Sequence, residues 1–249
     1  MTVNTALRTL LESVCLSETG PTRLSNEDSL VVVDYAEQGQ PEKGVLLVVS
    51  DGMGGHNAGE IASTMVTSLL PDFYRSSSVI NCAEALVQSV IAVNEQVYDR
   101  SMSDRTLRGM GATVVAAVVV NGCVAVVNVG DSRAYLLHND ILRQVSHDDT
   151  LRQNHFGIFP PKFGEELSHV LTQAIGPHMM VSPHVSISKV TEGDMLLLSS
   201  DGLTSVVTDE EIRYILTNKP LEETSKALFD MAIAREGDDN ISVIISSIN

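Results

Sequence analysis

Acidic residues recur at the ends of apolar runs in this chain. Residues 45–49 lead into Ser50-Asp51-Gly52, residues 195–199 into Ser200-Asp201-Gly202, and residues 124–129 into Gly130-Asp131-Ser132. Asp238, Asp239 and Asn240 stand just ahead of the run at 241–248, and Glu27 and Asp28 just ahead of the run at 29–34. One Asp-Gly pair is an ordinary turn. Five strands with an acid at one end ask for more, because strand ends in a layered fold can converge on one edge. Several carboxylates gathered there repel one another by a few kcal/mol unless they are neutralised. Divalent cations do this directly, and an oxygen-only ligand set favours Mg²⁺ or Mn²⁺ over zinc, which prefers His and Cys. A glycine beside the acid would let a backbone carbonyl approach the ion.

The elements that must position these acids can be read from periodicity. Strands are expected at 13–18, 29–34, 45–49, 132–137, 141–144, 185–189, 195–199 and 241–248. Apolar spacing predicts helices over 58–70, with Ile61, Ala62, Met65, Val66 and Leu69 inward, and over 81–102, with Leu86, Val87, Val90, Ile91, Val97 and Tyr98 inward. The apolar stretch 112–129 is centred on Asn121-Gly122, a tight-turn dipeptide, and so reads as a hairpin of two Val-rich strands and not as a membrane helix. A second hairpin turns at Asn139-Asp140, and a short helical segment is expected around 165–173. Thr208-Asp-Glu-Glu211 forms a capping box ahead of a helix to 217, and a last helix covers 221–236. Hairpin-linked strands with paired helices imply an α+β fold of antiparallel sheets covered by helices, within one domain spanning 1–249.

Composition narrows the partners. The chain has 249 residues, 43% of them apolar, which is ample for a packed core. A formal net charge of −16 argues against nucleic acid and against anionic membranes. Cys15, Cys82 and Cys123 are odd in number and lack metal spacing, and they read as small core residues of a cytoplasmic protein. The N-terminal residues show no signal-peptide pattern.

Six stretches then occur in order: RLSNEDS (23–29), VSDGMGGH (49–56), GMGATVV (109–115), VGDSRAYLL (129–137), LLLSSDGLT (196–204) and GDDNISVII (237–245). Together they resemble the metal-dependent PPM, or PP2C-like, serine/threonine protein phosphatases of bacterial type. That resemblance implies a four-layer αββα sandwich, two central antiparallel β-sheets flanked by helix pairs. It implies two Mn²⁺ or Mg²⁺ ions, with Asp51 bridging them, the carbonyl of Gly52 on one, and Asp201 and Asp239 on the other. Glu27 and Asp28 would act through waters, and a third ion would sit on Asp131 and Asp201. Arg23 would bind phosphate oxygens through its planar fork. The implied reaction is direct attack of an activated water on phosphoserine or phosphothreonine, opposing a Ser/Thr kinase, by a monomer.

The chain also departs from the pattern of that family. Met53 stands where animal members carry a histidine, and His56 is a nearby alternative acid. Asp149 replaces a common histidine, and Gln173 stands where relatives often have arginine. Both lie in the irregular stretch 147–183, expected to form a flap-like insertion beside the metals that selects the phosphopeptide. Two rival readings remain: a hydrolase of small phosphate esters or anhydrides, and an inactive binding module, which predicts missing acids.

Overall fold

The computed structural model describes residues 11–53, 58–154 and 170–249. In chain order its first elements are β1 (Leu11–Glu18), β2 (Asp28–Asp34), β3 (Val45–Met53), α1 (Ala58–Ser76), α2 (Cys82–Ser103) and β4 (Gly111–Ala112). Next come β5 (Val114–Val120), β6 (Cys123–Val129), β7 (Arg133–His138), β8 (Ile141–Gln144) and α3 (Leu151–Asn154). The last are β9 (His184–Lys189), β10 (Met195–Ser199), α4 (Asp201–Thr204), α5 (Asp209–Asn218), α6 (Leu221–Ala234) and β11 (Ile241–Ile248).

One sheet runs β1-β11-β10-β7-β8, and the other β2-β3-β5-β6-β9 with β4 added to β3. Every pairing between these strands is antiparallel. The run Val114–Val120 is apolar without a break because both of its faces are covered. Val115, Ala117 and Val119 face the other sheet, against Leu196, Leu198 and Ile244. Val114, Ala116 and Val118 face α1 and α2, against Ala62, Val66, Leu86 and Val90. A third core packs Leu197, Val243 and Ile245 of the other sheet under Ile212, Ile215 and Leu228 of α5 and α6. Helix pair, sheet, sheet and helix pair follow in that order, the four layers expected.

The two hairpins form as read. Asn121 (φ 52°) and Gly122 (φ 71°) supply the left-handed pair that a two-residue turn requires, and Asn139 (φ 49°) and Asp140 (φ 60°) do the same between β7 and β8. Among the described residues no helix is long and apolar enough to cross a membrane. Thr208 opens α5 as predicted, its N–H donating to Glu211 Oε2 at 3.1 Å.

Four expectations need correcting. The first helix does not stop before Pro71 but continues to Ser76, because Tyr74 is buried in the core and Lys43 Nζ caps the Tyr74 and Ser77 carbonyls at 3.2 and 2.6 Å. Residues 170–173 are not helical, since Leu171 bridges Thr150 and the Thr172 N–H goes to Asp149 O; residues 165–169 lie outside the described set. Ile91 is exposed on α2, where Val93 takes the inward place. None of the cysteines is fully buried: Cys15 is exposed on edge strand β1, Cys123 is the half-buried first residue of β6, and Cys82, the half-buried first residue of α2, packs against the core.

Candidate metal centre

The antiparallel register of β2 and β3 sets Asp28 directly opposite Asp51. Asp28 shares a strand face with Leu30 and Val32, and Asp51 with Leu47 and Val49, so both acids lie on the face that packs between the sheets. They sit where that core ends. The second sheet reaches the same rim. Ser200, the residue after β10, donates its Oγ to Asp28 Oδ2 at 2.8 Å and accepts the Ser242 N–H at 3.0 Å. Asp201 follows as the first residue of α4, and Asp239 precedes β11 by two positions. Asp131 lies two residues beyond the end of β6.

Hydroxyls and backbone groups brace the acids. Thr113 donates its N–H to Asp51 O at 2.8 Å, while its Oγ1 accepts the Asp51 N–H at 3.0 Å and meets Ser132 Oγ at 2.6 Å. Thr113 therefore joins the Asp51 strand to the residue after Asp131. Glu27 O accepts Gly52 N–H at 3.1 Å and Ser63 Oγ at 2.6 Å, which ties α1 to the same corner. Arg23 Nη2 donates to Asp239 Oδ2 at 2.6 Å, and the Asn240 N–H occupies Asp239 Oδ1 at 2.8 Å.

The glycines also have a packing role that the sequence alone did not reveal. A methyl group at Gly52 would overlap the Gly59 carbonyl and come within 2.6 Å of Glu27 O. One at Gly202 would overlap the Asn240 carbonyl. These positions lack side chains because other segments of backbone cross there in contact, and those crossings draw the acid-bearing segments together.

Electrostatics link all five aspartates. Burial first, and then the charges of Asp28, Asp201, Asp239 and Asp131, hold the Asp51 carboxyl well above the usual carboxylate range. Asp28 is pushed up to about 6 by burial, with Asp201 adding to the rise and hydrogen bonds from Ser200 and Ser242 opposing it. Asp131 reaches about 7 through burial, Asp201 and Asp148, with Arg133 opposing. Glu27 is raised by burial and by Asp239 and Glu60, against the pull of Arg23. Such a set favours any partner that brings positive charge.

The donor chemistry fits a hard divalent cation: carboxylates and carbonyls from several strands, with Asp28 Oδ1 buried and lacking a hydrogen-bond partner. Among the described residues, however, no three His, Cys, Asp or Glu side chains form a group that could hold a metal ion as they stand. The acids share one field without forming a closed coordination shell.

The remaining sequence candidates are placed as follows. Met53 is half-buried at the end of β3, paired with Gly111; His56 lies outside the described residues. Gln173 Nε2 donates to Asp149 Oδ1 at 3.1 Å, so the two departures from the family pattern contact each other. Sequence reasoning missed Thr113, Ser132 and Ser200, since hydroxyls carry no diagnostic spacing. It also missed the Arg133–Asp148 pair beside Asp131, in which Nε and Nη2 reach Asp148 Oδ2 at 2.9 and 2.7 Å. The arginine two places after Asp131 was visible in the sequence, but its partner was not.

Comparison with known proteins agrees with this fold. Residues 23–240 match the family model described as protein phosphatase 2C. The serine/threonine phosphatase stp of Listeria innocua is 34% identical over 242 residues, covering 94% of each chain. The crystal structure of the serine/threonine phosphatase Stp1 from Staphylococcus aureus is similar with a TM-score of 0.87 at 30% identity, over 100% of this chain and 99% of that one. The catalytic domain of the serine threonine protein phosphatase PstP, crystallised with two manganese ions, matches with a TM-score of 0.82 at 31% identity, over 96% of this chain and 98% of that one. The sheets, the rim of acids and these likenesses lead to one conclusion: the chain belongs to the protein phosphatase 2C family.

Proposed function

We propose that the rim hydrolyses phosphoserine and phosphothreonine monoesters in proteins. The observation that carries this reading is the convergence of Asp28, Asp51, Asp131, Asp201 and Asp239, drawn from both sheets, into one electrostatic group. Two Mn²⁺ or Mg²⁺ ions, when bound, supply a water of lowered pKa and offset the charge of the phosphoryl group. Asp51 would bridge the pair, with the Gly52 carbonyl toward one ion and Asp201 and Asp239 toward the other. Glu27 and Asp28 would act through waters, and Asp131 with Asp201 would hold a third ion. Arg23 is half-exposed with Asp239 engaging its Nη2, and its guanidinium would bind oxygens of the incoming phosphoryl group. Thr113 and Ser200 keep the Asp51 and Asp28 segments in place while charge builds up.

The same reading takes phosphorylated proteins as substrates and a Ser/Thr kinase as the opposing activity. It treats 1–249 as one catalytic domain with 147–183 as the selective insertion. Cytoplasmic location is supported by the three free thiols, which suit a reducing compartment. A monomer completes the proposal.

The test is Mn²⁺-dependent hydrolysis of a phosphothreonine peptide and of p-nitrophenyl phosphate, with Asp51→Asn and Asp239→Asn as controls. Each substitution is expected to lower kcat by about 10²-fold or more, on the scale of losing a transition-state interaction. Activity that survived chelation and both substitutions would overturn the mechanism. Faster turnover of nucleotides or pyrophosphate than of phosphopeptides would reassign the substrate class.

A further inference from the structure

Beside the rim lies an open cleft that the reaction above does not use. Its walls are the end of β8 and the segment after it, with Gln144, Ser146 and His147, and the start of β9, with His184 and Ser186; Asn128 forms the floor. Asn128 stands three residues before Asp131. The walls are braced: Asn128 Nδ2 donates to His147 O at 2.6 Å, His147 N–H returns to Asn128 Oδ1 at 3.0 Å, and Ser186 Oγ donates to Val145 O at 2.5 Å. The imidazoles of His147 and His184 pack with centroids 4.4 Å apart. Among the described residues no Lys or Arg lines the cleft, and these walls offer a phosphoryl group no cation. Flat rings, hydroxyls and amides suit the main chain of an extended peptide.

The placement of this cleft depends on one buried acid. Asp149 is 0% exposed. Its Oδ2 accepts the Gly130 N–H at 3.0 Å, and its Oδ1 takes the Gln173 amide at 3.1 Å and His184 Nε2, in its donating tautomer, at 2.9 Å. The backbone of Asp149 is committed to the same neighbours, donating to Gly130 O at 2.9 Å and accepting from Thr172 N–H at 2.7 Å. Gly130 (φ 100°) is the residue directly ahead of Asp131.

We infer that the cleft is a subsite for the peptide chain flanking the phosphorylated residue, and that Asp149 is the positioning residue that fixes it beside Asp131. The inference rests on the phosphatase reading. Three donors converge on Asp149, so the position requires an acceptor-only side chain. In Asp149→Asn the new NH₂ faces either the Gly130 N–H or the Gln173 and His184 donors. Gln173 cannot turn over to help, because its Oε1 accepts the Ser182 N–H at 2.9 Å. Adding Gln173→Glu supplies a new acceptor for the asparagine amide and keeps the bond to Ser182, while His184 adapts by changing tautomer.

The experiment compares kcat/KM on a phosphothreonine peptide with that on p-nitrophenyl phosphate, a substrate that lacks a peptide chain. In His147→Ala and in Asp149→Asn the peptide-to-small-ester ratio is expected to fall about tenfold, mainly through peptide KM, the size expected for one lost hydrogen bond to the peptide. The double variant Asp149→Asn/Gln173→Glu should recover most of that ratio. Hydrogen exchange at the Gly130 amide, measured without substrate, should quicken in Asp149→Asn and slow again in the double variant. Equal losses on both substrates, an unchanged ratio, or failure of the second substitution to restore it would overturn the inference. A wild-type protein inert on phosphopeptides would defeat the phosphatase reading instead, and the exchange measurement would still report on the clamp.

Discussion

Arg23 and Asp239 show how one contact can serve two readings. The 2.6 Å ion pair is half-exposed, and a surface pair of this kind adds little to stability. In the proposed reaction its value would be orientation, with Asp239 restraining the guanidinium beside the acid group. Arg23→Lys would keep the charge and lose the planar fork, so KM for a phosphopeptide should rise about tenfold while folding stability moves by less than about 1 kcal/mol. Steady-state kinetics beside urea denaturation will separate these effects. The acids themselves were legible in the sequence because each stands beside a largely apolar run. Ser200, Thr113 and Ser132 were not, since a hydroxyl is recognised as a brace only when its partner, distant in sequence, is in view.

At the scale of elements, the close crossings at Gly52 and Gly202 bring the segments together. Gly52→Ala would press a methyl into the Gly59 carbonyl, and Gly202→Ala into the Asn240 carbonyl, both rigid backbone. Each should cost about 2–4 kcal/mol in urea denaturation and reduce activity further by spreading the acids. The packing role of these glycines was not legible in the sequence because the neighbour that excludes a side chain comes from another segment. Local chemistry explains what could be read: both hairpins carry their own left-handed turn residues, and the capping box at Thr208 is complete within four residues. Where tertiary contacts decide, reading failed. The first helix runs past Pro71 because buried Tyr74 and the Lys43 cap favour it, and 170–173 is held out of helix by its bonds to Asp149 and Thr150.

The whole molecule joins its two sheets at the charged rim, through Asp28 and Ser200, and that junction links stability to pH and to metal. Four layers could be foreseen only from the family resemblance, since the pairing of β1 with β11 joins the two ends of the described chain. Asp28 and Asp131 hold protons more tightly when folded, at about 6 and about 7, than an unfolded aspartate near 4 does. Their contribution is fully present below about pH 4 and is lost as pH rises through 6 and 7. The Tm of the metal-free protein should therefore fall between pH 5 and 8, and Asp131→Asn should flatten that slope. Added Mn²⁺ should act in the opposite sense, stabilising more as pH rises because its ligands must be deprotonated. Differential scanning calorimetry at several pH values will show whether the two slopes have opposite signs.

Anomalous diffraction at the manganese edge, from crystals grown with Mn²⁺, tests the central claim most directly. Two peaks are predicted at the rim, flanked by Asp51, with Asp239 and Asp201 on one ion and the Gly52 carbonyl on the other, and the proposed third ion would add a peak beside Asp131 and Asp201. A map with no peak between these residues, or with manganese bound only elsewhere, would contradict it.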